Sequence, residues 1–337
     1  MDAGIDWGWW IGIGAASALA GYLLVAGIVG SWLLTQPARS TDQRTPETYG
    51  WRYEPIEGAI SRDGLRLSGW WIPAAGRPEA SVPTVILVHG YADNKSGMLR
   101  YARYFHPGCN VVVFDLRACG ASQGRRTTQG IEERHDLRAI LDWLDRSKAP
   151  TRVIAFGVSM GGETALLAAA EDERIGALIL DSTHDRLRTP VLSAMRTRHL
   201  PLGFLAFPVI MATTYLRTGL RLTIGDPLDH VAALGHRPLL ILHGSDDDLD
   251  PPECAARLAA AAARASVPVE LRFCPGAGHG HTDEAAPHSY AAWLGAFVRR
   301  ALSPQRAAEP ATVASSIPAA LASSANPSSA SSVVALS

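Results

Sequence analysis

The chain has no excess charge of either sign: 31 Lys and Arg stand against 32 Asp and Glu, a formal net charge of -1. With no basic run either, nothing supplies the field that holds nucleic acid or an acidic polymer. Cysteine is scarce. The four present (Cys109, Cys119, Cys254, Cys274) include no C-x-x-C pair, so they supply neither a zinc knuckle nor a disulfide framework. They are expected as reduced thiols used as small apolar residues. Charged residues make up only 19% of the chain against 47% hydrophobic, which excludes disorder throughout and leaves material for a sizeable core.

Charge is also absent locally. None occurs between Asp6 and Arg39, and Trp7 to Leu34 is almost wholly apolar. A bilayer core needs about 20 such residues. Trp7, Trp9 and Trp10 at one end and Trp32 at the other suit interfacial belts. A cleaved signal peptide would want a basic start, where this chain has Asp2 and Asp6, and an apolar core of only about 7–15 residues. Residues 7–34 are therefore read as a retained transmembrane helix after a stub at 1–6, giving a single-pass membrane protein. Arg39, Arg44 and Arg52 follow the span and no Lys or Arg precedes it, which puts the main domain in the cytoplasm. Gly8, Gly12, Ala16 and Ala20 form a small-residue stripe able to pair helices. A linker is expected over 35–52. Residues 303–337 are rich in Ala, Ser and Pro and are expected to be a disordered tail.

Residues 53–302 suit one large α/β domain. Pro55–Ile60 and Leu65–Ile72 alternate like antiparallel strands around a turn at Asp63-Gly64. Apolar, β-branched runs follow at Thr84–Val88, Asn110–Phe114, Arg152–Phe156, Ala177–Leu180 and Pro238–Leu242, with a more alternating one at Val269–Phe273. Helical patterns separate most of them; Leu137, Ile140, Leu141 and Leu144 give an i, i+3, i+4, i+7 stripe. Buried runs alternating with helices indicate a mostly parallel twisted sheet covered on both faces. Reactive residues on such a sheet sit at the carboxyl ends of its strands.

Gly157-Val158-Ser159-Met160-Gly161 is a G-x-S-x-G, and it stands between a strand and an Ala/Leu-rich helix. A serine hydroxyl needs a base, and the base an orienting acid. Downstream, one strand runs into His243-Gly244-Ser245-Asp246-Asp247-Asp248-Leu249-Asp250-Pro251, and the last into Gly276-Ala277-Gly278-His279-Gly280-His281. The order Ser, Asp, His belongs to one hydrolase architecture.

With these motifs the chain resembles the α/β-hydrolase superfamily over Tyr53–Leu302, in particular serine aminopeptidase-like, Bem46-like and carboxylesterase-like members. Val88-His89-Gly90-Tyr91, Phe114-Asp115-Leu116-Arg117 with Gly120 and Ser122, and the three segments above carry the resemblance. It implies Ser159 as nucleophile, His279 as general base and acid, and Asp247 as orienting acid. It also implies backbone N–H groups of Tyr91 and Met160 as the oxyanion hole, with no cofactor. Asp250 stands where the family often has Val, which leaves Asp246, Asp248 and Asp250 as possible substitutes for Asp247; Asp181, at a strand end, is a second-choice acid. His89 and His243 are read as structural strand-end histidines.

His279-x-His281-x-Asp283 also partly resembles a metal motif of metallo-β-lactamase-like hydrolases. Glu284 replaces its last His, and Cys274 and His288 complete no second pair. No metal is expected, and His281 is expected at the surface. Thr183–Arg237 is too long for a simple connection. Its apolar centre, Leu200–Tyr215, resembles the helical cap that many relatives place over the pocket, suggesting an acyl or otherwise hydrophobic substrate. Burial against the core, or contact with a bilayer helped by Arg186, Arg188, Arg196 and Arg198, are the alternatives. The expected activity is hydrolysis of a small acyl ester through an acyl-enzyme. Peptidase, thioesterase and a non-catalytic binding protein on a hydrolase scaffold are the other readings.

Overall fold

The computed structural model describes residues 7–302; the expectations for 1–6 and 303–337 lie outside the described residues. An eight-stranded sheet organises the domain: β1 (Glu54–Pro55), β2 (Gly69–Ile72), β3 (Thr84–Val88), β4 (Asn110–Phe114), β5 (Val153–Val158), β6 (Ile175–Asp181), β7 (Leu239–Gly244) and β8 (Val269–Cys274), in the order β1-β2-β4-β3-β5-β6-β7-β8. β1 and β2 are antiparallel, β2 pairs antiparallel with β4, and all pairs from β4 to β8 are parallel. Every residue of β3, β4, β5 and β7 is buried, which is why these strands read as unbroken apolar runs.

The helices are α1 (Trp7–Thr35), α2 (Leu99–Ala102), α3 (Glu133–Ser147), α4 (Met160–Glu171), α5 (Arg188–Thr197), α6 (Gly203–Thr218), α7 (Pro227–His230), α8 (Glu253–Arg264), α9 (Thr282–Ala285) and α10 (Pro287–Ala301). α3, α4 and α8 bury Leu137, Leu166 and Leu258 on one face of the sheet. α2 and α10 bury Tyr101, Tyr290 and Phe297 on the other. The four cysteines are free and buried.

One expectation needs correction. The first hairpin forms regular strand over far less of its length. Glu54 and Pro55 face Trp71 and Trp70; beyond them an isolated bridge joins Ile60 to Arg66, and Ile56, Ser61 and Leu67 N–H groups donate to Gly69, Leu65 and Ala59 carbonyls without continuous strand. The chain leaves the strand at Gly58, whose φ is +74°. On its other edge the hairpin's second arm meets the 122–123 loop: the N–H groups of Arg66 and Ser68 donate to Gln123 Oε1 and Ser122 Oγ, and Gln123 N–H donates to Arg66 O. In α1, Gly8, Gly12, Ala16 and Ala20 are exposed. Within the chain, Gly27 and Gly30 lie against α6.

α1 is long and apolar enough to cross a membrane, with a mean hydropathy of 1.9 over its best window and little of that window buried. The segment between β6 and β7 holds α5, α6 and α7, and α6 keeps Pro208 inside it.

Candidate active site

β5 ends at Val158 and α4 begins at Met160, so Ser159 alone makes the turn. Its φ of 53° and ψ of -124° are unfavourable for a residue with a Cβ; such a conformation costs about 1–3 kcal/mol and persists only where its surroundings enforce it. The neighbouring glycines allow it. A Cβ on Gly161 would lie 2.1 Å from Val88 O, and one on Gly157 would lie 2.2 Å from Gly161 O. Ser159 N–H donates to Asp181 O at 2.9 Å, tying the turn to β6.

The structure brings Ser159, His279 and Asp247 together at the carboxyl edge of the sheet. Ser159 Oγ donates to His279 Nε2 at 2.9 Å, and His279 Nδ1 donates to Asp247 Oδ2 at 2.9 Å. Asp247 is buried, and its Oδ1 accepts from the N–H groups of Leu249 (3.1 Å) and Asp250 (2.8 Å). A carboxylate so oriented holds the imidazole proton on Nδ1 and leaves Nε2 free to accept one. Burial alone would lower the His279 pKa. The hydrogen bond and charge of Asp247, with the charges of Asp250 and Asp181 behind them, outweigh it and raise the pKa above the ordinary imidazole value.

Met160 is the first residue of α4, and the first N–H groups of a helix have no acceptor within it. Tyr91 follows Gly90, where a Cβ would stand 3.3 Å from Val158 O, so the loop after β3 lies close against the elbow. The same Cβ would stand 3.5 Å from Ser159 Cβ.

Asp246 and Asp248 are exposed. Asp250 is buried, with Oδ2 3.8 Å from His279 Nδ1. Asp181 accepts from Ser182 Oγ (3.0 Å), Thr282 Oγ1 (2.5 Å) and Tyr290 OH (2.6 Å), while Ser182 Oγ accepts from Gly280 N–H at 3.0 Å. Asp181 therefore anchors the loop that carries His279. His89 Nε2 accepts from Leu116 N–H at 3.0 Å, and His243 Nε2 meets Asp250 O at 2.6 Å; both fix strand ends. The residues of the metal-like motif separate: His279 faces Asp247, exposed His281 pairs with Glu284 at 3.2 Å, and buried Asp283 meets Arg103 at 3.3 Å.

One feature of the site went unread in the sequence. Glu163 and His184 are both buried, with His184 Nε2 3.2 Å from Glu163 Oε2 and His184 Nδ1 3.8 Å from Asp250 Oδ2. Burial raises the Glu163 pKa. Burial disfavours the charged form of His184, but Glu163 and then Asp250 reverse this and hold its pKa above the usual range. The visible signal was an acid within an otherwise uncharged stretch, Met160-Gly161-Gly162-Glu163-Thr164-Ala165-Leu166-Leu167.

Comparison with known proteins agrees with this architecture. A model of the alpha/beta hydrolase fold matches residues 83–226, and one of the prolyl oligopeptidase family matches 224–305. The uncharacterized protein YfhR of Salmonella typhimurium is 30% identical over 236 residues, 65% of this chain and 72% of that protein. Protein bem46 of Schizosaccharomyces pombe is 27% identical over 213 residues, covering 62% of this chain and 65% of its own length. Among solved structures, an esterase of Pyrococcus furiosus superposes with a TM-score of 0.65 at 26% identity, covering 79% of this chain and 97% of that one. The sheet order, the serine at the β5–α4 turn and these similarities identify the chain as a member of the α/β-hydrolase fold family.

Proposed function

We propose that the protein is a serine hydrolase that cleaves a small acyl ester with a hydrophobic acyl group, held at a membrane by α1. The observation that carries this reading is the continuous hydrogen-bond chain from Ser159 Oγ through His279 to Asp247 at the strained elbow.

Ser159 Oγ attacks the ester carbonyl carbon while its proton passes to His279 Nε2. General base catalysis of this kind is worth about 10²–10⁴ in rate. The carbonyl π electrons move to oxygen, and the resulting anion faces the Met160 and Tyr91 N–H groups; one such donor supplies about 2.7–4 kcal/mol. When the tetrahedral intermediate collapses, the bond to the leaving oxygen breaks and His279 returns the proton to it, releasing the alcohol. Water then attacks the acyl-enzyme, gives its proton to His279 Nε2, and the acid departs as Ser159 regains its hydrogen. Asp247 holds the ring in place and stabilises the imidazolium. The positive charges after α1 (Arg39, Arg44, Arg52) favour a cytoplasmic domain.

A second reading, an aminoacyl or acylaminoacyl peptidase, is favoured by the prolyl oligopeptidase match, because residues 224–305 include Asp247 and His279. A panel of p-nitrophenyl esters of rising chain length, run beside aminoacyl p-nitroanilides, separates the two. The ester reading expects turnover of medium-chain esters well above that of any anilide. Anilide turnover exceeding ester turnover would overturn it.

A further inference from the structure

α1 is built into the hydrolase domain at its carboxyl end. Trp7 to Gly21 is exposed throughout, and from Tyr22 onward one side of the helix packs on α6. A Cβ on Gly27 would meet Thr213 Oγ1 at 2.7 Å, and one on Gly30 would meet Ile210 at 2.7 Å. The last carbonyls of a helix have no intrahelical donor. Here each has a partner: Trp32 O accepts from Gln36 N–H, Leu33 O from Tyr91 OH, Leu34 O from Gln129 Nε2 and Thr35 O from Thr127 N–H. The two helices run in the same direction. Tyr22 OH donates to Pro201 O just before α6, and Arg217 at its far end donates to Ser31 Oγ and lies 4.1 Å over the Trp32 ring.

The other side of α6 is open and apolar. Leu200, Leu202, Phe204, Leu205 and Leu216 are exposed, and no charged residue occurs from Leu200 to Leu216. The length of α1 indicates what covers them. Its exposed part, fifteen residues from Trp7 to Gly21, measures about 22 Å at a rise of ~1.5 Å per residue. A hydrocarbon core is about 30 Å thick. The missing ~8 Å, about five more residues, carries the apolar layer to Ala26, alongside the first turns of α6.

We propose that α6 lies in the same lipid leaflet as α1, so that the partner of its open face is the bilayer and the helical segment between β6 and β7 is immersed in it at α6. The proposal rests on reading α1 as a membrane span. Charged residues bound the immersion at both ends. Trp32, Tyr215, Arg217 and Arg221 form an aromatic and basic border at the carboxyl ends of the two helices. Arg196, Arg198 and His199 are exposed at the α5–α6 turn and keep the tip shallow; Arg198 Nη1 already folds back one turn to Ala194 O at 3.1 Å, the direction of snorkelling. The site would then take its acyl ester from the membrane rather than from water.

Because the native cysteines are all buried, a single new surface cysteine can carry an environment-sensitive fluorophore. The full chain, in phosphatidylcholine–phosphatidylglycerol vesicles, is labelled at Phe204→Cys on α6, Leu19→Cys on α1 or Glu173→Cys ahead of β6, at the opposite edge of the sheet. Doxyl-labelled lipid should quench the label at 204 to an extent comparable with 19, most strongly with a shallow doxyl group, and leave 173 unchanged. Quenching at 19 but not at 204 overturns the immersion of α6 while leaving α1 a span. Quenching at neither overturns both readings. A label at 204 shielded from aqueous iodide yet untouched by doxyl lipid would mean that protein, not lipid, covers α6, and also refutes the proposal.

Discussion

Asp247→Asn tests how the acid side of the site is built. The Asp247 Oδ1 position receives two backbone N–H groups, from Leu249 and Asp250. In the variant the amide oxygen stays with those donors, so its NH₂ faces His279 Nδ1. That arrangement favours a proton on Nε2, the tautomer that cannot accept from Ser159. In a triad with no other acid nearby, this change costs about 10⁴ in kcat, or about 5.5 kcal/mol. This chain has a second carboxylate: Asp250 Oδ2 lies 3.8 Å from the same nitrogen and favours the proton on Nδ1. Two charges at about 4 Å attract by about 4 kcal/mol at an effective dielectric near 20. Asp247→Asn should therefore lose only about 10²-fold, because Asp250 returns part of the deficit, and the double variant with Asp250→Asn should lose the full ~10⁴. Burial raises the Asp250 pKa while His184 and His279 oppose this, so kcat is measured on a p-nitrophenyl ester at pH 8, where the carboxylate is favoured. If Asp247→Asn alone loses the whole ~10⁴ and Asp250→Asn adds nothing, the role given to Asp250 is wrong.

Three further outcomes are expected. The rate constant kcat/KM should rise with pH through a pKa above the ordinary ~6.5 of histidine, because His279 acts when neutral and its pKa is raised; a midpoint below that value contradicts the assignment. By the same sign, the stability that His279 contributes is fully present below its unfolded pKa and is lost as pH rises through the raised folded one. His184→Gln leaves Glu163 buried without its partner and should cost about 3–5 kcal/mol in urea unfolding, with Glu163→Gln on the same background recovering much of it; no recovery would show that the pair is not coupled. Gly161→Ala must push a Cβ toward Val88 O and His89 O, backbone atoms of β3 and the loop after it that lie 2.1 and 2.6 Å from its position. About 1–3 kcal/mol of lost stability, with activity lost as well, is expected from thermal melts and ester assays. An active variant of unchanged Tm would refute the close approach of elbow and β3 loop.

The sheet and the elbow were legible in the sequence because their causes are local. Strands buried on both faces read as apolar β-branched runs, and only their ends moved: β5 runs on to Val158 and β6 starts at Ile175. The first hairpin was over-read because alternation does not reveal the break at Gly58, whose φ is +74°. Ser159, Asp247 and His279 could be named from motifs, whereas the choice among four neighbouring aspartates turned on burial and direction, which only the fold supplies. The Glu163–His184 pair and the seating of α1 on α6 join residues far apart in the chain. No periodicity connects Glu163 to His184, or Gly27 to Thr213. Spacing identifies a face but not its neighbour.

The most direct test of the central claim is peptide mapping after reaction with a fluorophosphonate. A single adduct on Ser159 is expected, absent in Ser159→Ala and greatly slowed in His279→Ala. An adduct on any other residue, or labelling of Ser159 that does not depend on His279, would contradict the account.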